Sequence, residues 1–229
     1  MRVLYAGTPE IAVPGLEALA NRHEVVGVLT NPDRGTGRGR KVRFSPVKTK
    51  ALDLGLTVVQ PETLRGEARE SVASLDPELL VCVAYGRIFG PKFLSLFPRG
   101  GINMHPSLLP RHRGPAPIPA AILAGDRETG ITIQQLAREM DAGDILLQQK
   151  RPLTGRETTA ALTAWAAEEG AEMLVEAVDL IEAGREEPVA QDPEKATYCS
   201  FLSKEESWID WRESAVEIDR RVRAFNPWP

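Results

Sequence analysis

The 229-residue chain is expected to be an α/β protein on a doubly wound, mostly parallel sheet. Short apolar runs alternate with helical segments through the first half, at the spacing of right-handed βαβ units. One run, Leu79 to Ala84, is continuously apolar, as a strand buried on both faces would be. Composition agrees, with 42% apolar and 26% charged residues, which excludes disordered, collagen-like and membrane-spanning classes. No stretch of 18 apolar residues could cross a bilayer.

Taken in order, Val3–Ala6 is a strand ending at Gly7, and Pro9 to Ala20 places Ile11, Leu16 and Leu19 at helical spacing. Val25 to Leu29 is a second strand. Ser45-Pro46 starts a helix, with Ser as N-cap and Pro at the first helical position, and Gly55 stops it. Val58-Val59 is a third strand, Leu79–Ala84 a fourth after a polar helix, and Gly101–His105 a fifth. Ile131–Leu136 and Ile145–Gln149, joined by a polar turn, are expected to form a hairpin. Glu157 to Glu182 is a long packing helix, Pro188–Tyr198 an extended polar stretch, and Val216–Ala224 a short amphipathic helix. There is no internal repeat. The start MRVLYAGTPE reads as strand and turn rather than a signal peptide. Cys82 and Cys199 lack metal-ligand spacing, so a reducing, cytoplasmic setting is expected.

The first strand-to-helix turn, Gly7-Thr8-Pro9-Glu10, argues against NAD and ATP. Pro9 removes a backbone donor and Glu10 adds negative charge where a pyrophosphate would have to sit. No P-loop pattern occurs elsewhere.

The net charge of −4 hides an asymmetry. Between Asn31 and Lys50 stand seven basic residues (Arg34, Arg38, Arg40, Lys41, Arg43, Lys48 and Lys50) and one acid, Asp33, so this segment carries +6 and the rest −10. Gly35, Gly37 and Gly39 make it flexible, and interleaved arginines suit phosphates and unpaired bases. It reads either as a solvated surface loop or as a nucleic-acid contact. Its place after the second strand, on the sheet edge where ligands bind, favours the contact.

The run Asn103-Met104-His105-Pro106-Ser107-Leu108-Leu109-Pro110 carries the chemistry. Asn103 and His105 are two apart on a strand and share a face at its carboxyl end. Taken alone, His105 also fits a histidine merely hydrogen-bonded at a strand end. The neighbouring amide suits an oxyanion donor beside a proton-moving imidazole. Ser107 lacks a nucleophile elbow and Cys82 lies in a buried strand, so transfer without a covalent enzyme intermediate is expected. Met140-Asp141-Ala142-Gly143-Asp144 reads either as a solvated turn or as a source of a carboxylate near His105, which would raise the imidazole pKa. Asp141 and Asp144 both qualify. His23, His105 and His112 are scattered, and no metal set is expected.

Together, the N-x-H-x-S-L-L-P run and the D-x-G-D turn about forty residues later resemble the folate-dependent formyltransferases. The resemblance implies a Rossmann-like formyltransferase fold, 10-formyltetrahydrofolate as donor and an amine as acceptor. It implies a catalytic centre of Asn103, His105 and Asp144. It also implies folate contacts at Tyr85, Gly86, Ile88, Ser107, Leu108, Leu109, Pro110 and Asp141, largely through main-chain groups. The basic loop, the Ser107–Pro117 run and the closing segments 202–211 and 224–229 resemble the branch whose acceptor is methionyl-tRNA. That branch implies tRNA contacts at Arg38, Arg40, Lys41 and Arg43. Arg111 and Arg113 have two readings, as contacts to substrate or as surface ion pairs. Trp208, Trp211 and Trp228 are expected as packing anchors. The catalytic domain is expected over 1–203, with 204–229 as a helix and the beginning of a linker to a C-terminal β-barrel that this chain would lack, weakening tRNA affinity. A monomer is expected. The alternatives are an amino-sugar formyltransferase and a catalytically idle folate- or RNA-binding module.

Overall fold

A computed structural model describes residues 1–36 and 41–229. In chain order the elements are β1 (Arg2–Gly7), α1 (Val13–Arg22), β2 (Glu24–Leu29), β3 (Arg34–Thr36), β4 (Lys41–Arg43), α2 (Pro46–Asp53), β5 (Val58–Val59), α3 (Glu67–Ala73), β6 (Leu79–Val83), α4 (Pro91–Leu94), β7 (Gly101–His105), α5 (Pro117–Ala124), β8 (Glu128–Gln135), β9 (Ile145–Pro152), α6 (Thr159–Ala183) and α7 (Ala215–Ala224). The chain divides into two units, one of residues 1–104 and 167–187, the other of residues 105–166 and 188–229.

In the first unit the strands run in the order β5-β2-β1-β6-β7, and the β1–β2, β1–β6, β2–β5 and β6–β7 pairs are parallel. The chain winds outward through β2 and β5, then returns to β6 beside β1. That reversal makes the carboxyl ends of β1 and β6 the topological switch point, where open α/β sheets bind ligands. Every residue of β6 is buried, so both its faces are covered, as its unbroken apolar run predicts. Each fully buried Leu or Val there contributes about 1.5–3 kcal/mol. Gly15 lets α1 settle: a Cβ at this position would lie 2.9 Å from Leu174 and 3.0 Å from the Tyr5 hydroxyl. Ser45 caps α2 as expected, its Oγ accepting from Lys48 N at 3.0 Å.

The basic segment differs from a plain loop. Its flanks pair as a small antiparallel ribbon, with Arg34 opposite Arg43, Gly35 opposite Val42 and Thr36 opposite Lys41. Its root is fastened too: Gln60 Nε2 donates to Asn31 O at 2.8 Å and to Asp33 Oδ1 at 2.9 Å, and Lys48 pairs with Asp33.

In the second unit β8 and β9 form the expected antiparallel hairpin, longer than the apolar pattern because Thr129 and Gly130 continue the ladder to Arg151 and Lys150. α7 carries a capping box in which Ser214 Oγ accepts from Glu217 N and Glu217 Oε2 accepts from Ser214 N. Such a box is worth about 1 kcal/mol. α7 lies against α5, and Thr159 Oγ1 donates to Ala224 O at 2.6 Å, tying the start of α6 to the end of α7. The tryptophans depart from expectation. Trp208 is 79% exposed and Trp211 80%. Residues 202–213 hold only one short 3-10 turn, Glu205–Ser207, so no amphipathic face tucks them inward. Among the described residues no helix is long and apolar enough to cross a membrane.

Candidate active site

β7 ends at His105, with Asn103 two residues earlier on the same strand, half-buried, and His105 buried at 4% exposure. The imidazole is oriented by the segment just C-terminal to it. His105 Nε2 lies 2.9 Å from the main-chain oxygen of His112. A carbonyl only accepts, so Nε2 carries the proton. His112 sits at φ 57°, a left-handed conformation that L residues rarely adopt. It is anchored through its own ring, whose Nε2 is 2.7 Å from Asp126 Oδ2, and through its amide, which donates to Thr197 Oγ1 at 2.8 Å.

The other ring nitrogen, Nδ1, faces Asp141 Oδ1 at 3.6 Å. The expectation of a carboxylate near His105 thus holds for Asp141. Asp144 is engaged through its main chain, its carbonyl accepting from Gln135 N at 2.8 Å, and among the described residues its side chain makes no ion pair. The geometry of the turn explains the difference. Asp141 stands at φ 53°, which swings it back toward β8. Gly143 passes so close to Gln135 that a Cβ would lie 1.9 Å from its carbonyl oxygen. The carboxylate is then fixed from two sides: Gly114 N donates to Oδ2 at 2.8 Å and Gln134 Nε2 to Oδ1 at 3.0 Å.

Asp141 raises the imidazole pKa as expected, but it does not decide the outcome. Burial is the largest influence and lowers the His105 pKa below its ordinary value, against the pull of Asp141 and the His112 carbonyl. His105 is therefore neutral at pH 7, protonated on Nε2, with Nδ1 open to take a proton. The expectation of a raised pKa is corrected on this point.

The Ser107–Pro110 loop is latched onto the hairpin. Thr132 and Gln148 are cross-strand partners on β8 and β9. Thr132 Oγ1 donates to Ser107 O at 2.7 Å and accepts from Leu109 N at 3.2 Å, while Gln148 Nε2 donates to Leu109 O at 3.0 Å and Thr132 Oγ1 at 2.9 Å. Ser107 Oγ donates to Arg111 O at 2.6 Å, Arg111 N donates to Leu108 O, and Thr197 N to Pro110 O. Sequence reasoning missed Thr132, Gln134 and Gln148. Thr132 and Gln134 are buried polar residues within the run Ile131-Thr132-Ile133-Gln134, and that interruption of an apolar strand was their signal.

In the first unit, the loop after β6 lies at the switch point. Ala84 and Gly86 have φ 48° and 81°, Gly86 and Ile88 are exposed, and the Tyr85 carbonyl accepts from Asn31 Nδ2 at 2.7 Å. The Tyr85 hydroxyl is buried with no hydrogen-bond partner among the described residues, and burial pushes its pKa up to about 12. Arg38 and Arg40 lie outside the described residues, Lys41 is described only through its pairing with Thr36, and Arg43 is exposed. Arg111 forms an ion pair with Asp126 at 2.5 Å. Arg113 is buried, bound to Gln191 and Tyr198 instead of a carboxylate. Among the described residues, His23, Asp179 and Glu182 come near enough to share an ion. Asp179 already pairs with Arg22, and Glu182 with the Met1 amine.

Residues 1–178 match the formyl transferase family and residues 202–229 its C-terminal domain. The chain is 48% identical over 237 residues to the methionyl-tRNA formyltransferase of Treponema denticola, covering 100% of this chain and 74% of that one. It is 48% identical over 231 residues to that of Methylococcus capsulatus, covering 100% and 75%. In fold it is similar to WlaRD, a sugar 3N-formyl transferase crystallised with dTDP and 5-N-formyl-THF (TM-score 0.75, 20% identity, 98% of this chain and 79% of that one). It is also similar to an N-formyltransferase from Helicobacter canadensis in complex with folinic acid and dTDP-3-aminofucose (TM-score 0.76, 23% identity, 97% and 80%). A strand-end Asn and His, a buried imidazole facing a turn carboxylate, and a match over all of this chain at this identity lead to one assignment: the chain belongs to the formyl transferase family, in its methionyl-tRNA formyltransferase branch.

Proposed function

We propose that the chain transfers the formyl group of 10-formyltetrahydrofolate to the α-amino group of methionyl-tRNA, giving N-formylmethionyl-tRNA for translation initiation, with Asn103, His105 and Asp141 at the reacting atoms. The observation that carries this reading is the buried His105 ring, protonated toward His112 O and open toward Asp141 at 3.6 Å. The acid assigned from resemblance to Asp144 moves to Asp141, the carboxylate that faces the imidazole.

The free amine of the aminoacyl end attacks the formyl carbon, and the carbonyl π pair moves to oxygen. The Asn103 amide offers a hydrogen bond to that oxyanion, and a donor of this kind is worth about 2.7–4 kcal/mol of barrier. The attacking nitrogen becomes an ammonium and must lose a proton. Neutral His105 takes it at Nδ1, and Asp141 stabilises the imidazolium that forms. The carbon–nitrogen bond to the folate then breaks as the oxyanion pair returns. The leaving folate nitrogen takes up the proton from His105, which restores the neutral ring. Burial suits this order, because a ring neutral at the outset can accept before it donates.

Donor contacts are proposed, from the family resemblance, at Ser107–Pro110 in the second unit and at Tyr85, Gly86 and Ile88 in the first. The basic segment, with Arg38, Arg40, Lys41 and Arg43, is proposed to meet the acceptor end of the tRNA. A cytoplasmic monomer fits this role. The test is formyl transfer from 10-formyltetrahydrofolate to methionyl-tRNA, assayed beside transfer to nucleotide-linked amino sugars. Turnover with methionyl-tRNA alone is expected. Turnover only with amino sugars, or none with either acceptor, would overturn the reading.

A further inference from the structure

The turn that presents Asp141 is held by a residue fifty positions further along the chain. Gln191 sits in the extended polar stretch after α6, and its side chain reaches the turn from outside the hairpin. Its Nε2 lies 2.7 Å from Gly143 O, 2.9 Å from Asp141 O and 3.2 Å from Gln134 Oε1. Its Oε1 accepts from Arg113 Nε at 3.1 Å and Nη2 at 2.7 Å.

We infer that Gln191, oriented by Arg113, is a positioning residue that sets the direction of the Asp141 carboxylate toward His105. The inference rests on the reading of Asp141 as the carboxylate of the reacting centre. Donor and acceptor chemistry leaves the network one polarity. A guanidinium only donates, so the Gln191 oxygen must face Arg113 and its amide nitrogen must face the turn. Gln191 then donates to the Gln134 oxygen, which commits the Gln134 nitrogen to Asp141 Oδ1 at 3.0 Å. The order is cation, amide, amide, carboxylate, and each bond polarises the next.

Arg113 heads this chain with an unusual charge balance. It is 5% exposed, its Nη1 donates to the Tyr198 hydroxyl at 3.2 Å, and no carboxylate among the described residues lies within 4.0 Å of it. A buried cation without a direct counter-ion is costly unless its hydrogen bonds carry the charge elsewhere. Here they lead through two amides to Asp141. The two hydrogens of that nitrogen are shared among three acceptors, with the carbonyls of Gly143 and Asp141 nearer than the Gln134 oxygen, so Gln191 also ties down the main chain of the turn. That offsets part of the cost of holding a non-glycine residue at φ 53°.

The test is a double-mutant cycle on the full chain. Gln191→Glu keeps an acceptor for Arg113 but removes the donor from the turn. We expect kcat for methionyl-tRNA to fall about 10- to 100-fold, as misplacing a reacting group does. KM for both substrates should change by less than about threefold, with thermal unfolding still cooperative. In an Asp141→Asn background the same substitution should cost less than about twofold, because its effect passes through Asp141. Equal losses in the two backgrounds, or a rise in KM with kcat intact, would overturn the inference. Should Gln191→Glu not fold, Arg113→Lys serves, since it keeps the charge but loses the paired donors to Gln191. Its kcat loss should likewise vanish beside Asp141→Asn, and an additive loss would overturn the inference. If Asp141→Asn by itself left kcat at the unaltered value, the reading of Asp141 would fail and the inference with it. A large Asp141→Asn loss that adds fully to Gln191→Glu sinks the positioning role alone.

Discussion

His105 Nδ1 lies 3.6 Å from Asp141 Oδ1, while the opposite ring nitrogen donates to His112 O at 2.9 Å. The ring is thus held in one tautomer by a carbonyl, and its basic edge is turned to a carboxylate. Burial lowers its pKa despite that carboxylate. The site therefore holds a neutral base poised to gain a proton.

This fixes the sign of the pH dependence. The folded pKa of His105 lies below the ordinary value of about 6.5, so the folded chain binds fewer protons than the unfolded chain as the pH falls toward 6. The stability that the neutral ring contributes is present above pH 6.5 and is lost as the pH falls through the folded pKa. The proposed mechanism requires the same neutral ring. Because the attacking α-amine itself titrates at about 7.7–8.0, a rate profile mixes the two groups, and the ring is best read directly. We expect the NMR titration of the His105 imidazole to have its midpoint below 6.5, and a midpoint above 6.5 would mean a raised pKa.

Glu157 gives a second acid-sensitive term away from the site. Its carboxylate accepts from Thr154 N and Oγ1, Gly155 N and Arg156 N, and its pKa falls to about 2. Its contribution is present in full above pH 4.5 and is lost as the pH falls through about 2. Glu157→Gln should lower the melting temperature at pH 7 and flatten its fall between pH 4.5 and pH 2. Melting curves at stepped pH measure both, and parallel curves for the two proteins would count against this role.

Gly143→Ala should damage the site without touching a charged group. The added Cβ would meet Gln135 O at 1.9 Å, so the turn must move and carry Asp141 with it. We expect kcat to fall by at least about tenfold, consistent with the rate cost of misplacing a reacting group. Steady-state kinetics beside a melting curve check it, and an unchanged kcat would mean that the turn does not position Asp141.

Much of this was legible in the sequence, for physical reasons. The parallel sheet was readable because buried strands must be continuously apolar, as Leu79–Val83 is. The capped start of α2 was readable because Ser45-Pro46 satisfies free helix donors locally. That Asn103 and His105 share a strand was readable from its apolar pattern. The choice between Asp141 and Asp144 was not, because it depends on a left-handed residue and a close approach of Gly143 to Gln135, neither of which leaves a periodic signal. The His105 pKa was misread because sequence displays a charge neighbour but not the depth of burial. Gln191 was invisible because its partners lie some fifty and eighty residues away. The tryptophans were misread because large apolar residues are usually buried, yet Trp208 and Trp211 lie on the surface.

The basic segment should act through charge. Replacing Arg38 and Arg40 together by Gln should raise KM for methionyl-tRNA and reduce the slope of log kcat/KM against log salt by up to about two, one for each phosphate no longer neutralised. KM for the folate donor should stay put. An unchanged salt slope would make the segment a solvated surface.

The central claim is that Asp141 is the carboxylate that works with His105. The most direct measurement compares kcat for formyl transfer to methionyl-tRNA in Asp141→Asn and Asp144→Asn, each checked for an unaltered melting transition. The structure predicts a loss of about a hundredfold or more for Asp141→Asn, in the range of a lost charge-stabilising group. It predicts a loss of less than about tenfold for Asp144→Asn, whose tie to β8 is through its main chain. The reverse order, with Asp144→Asn the crippled variant and Asp141→Asn near full turnover, would contradict it.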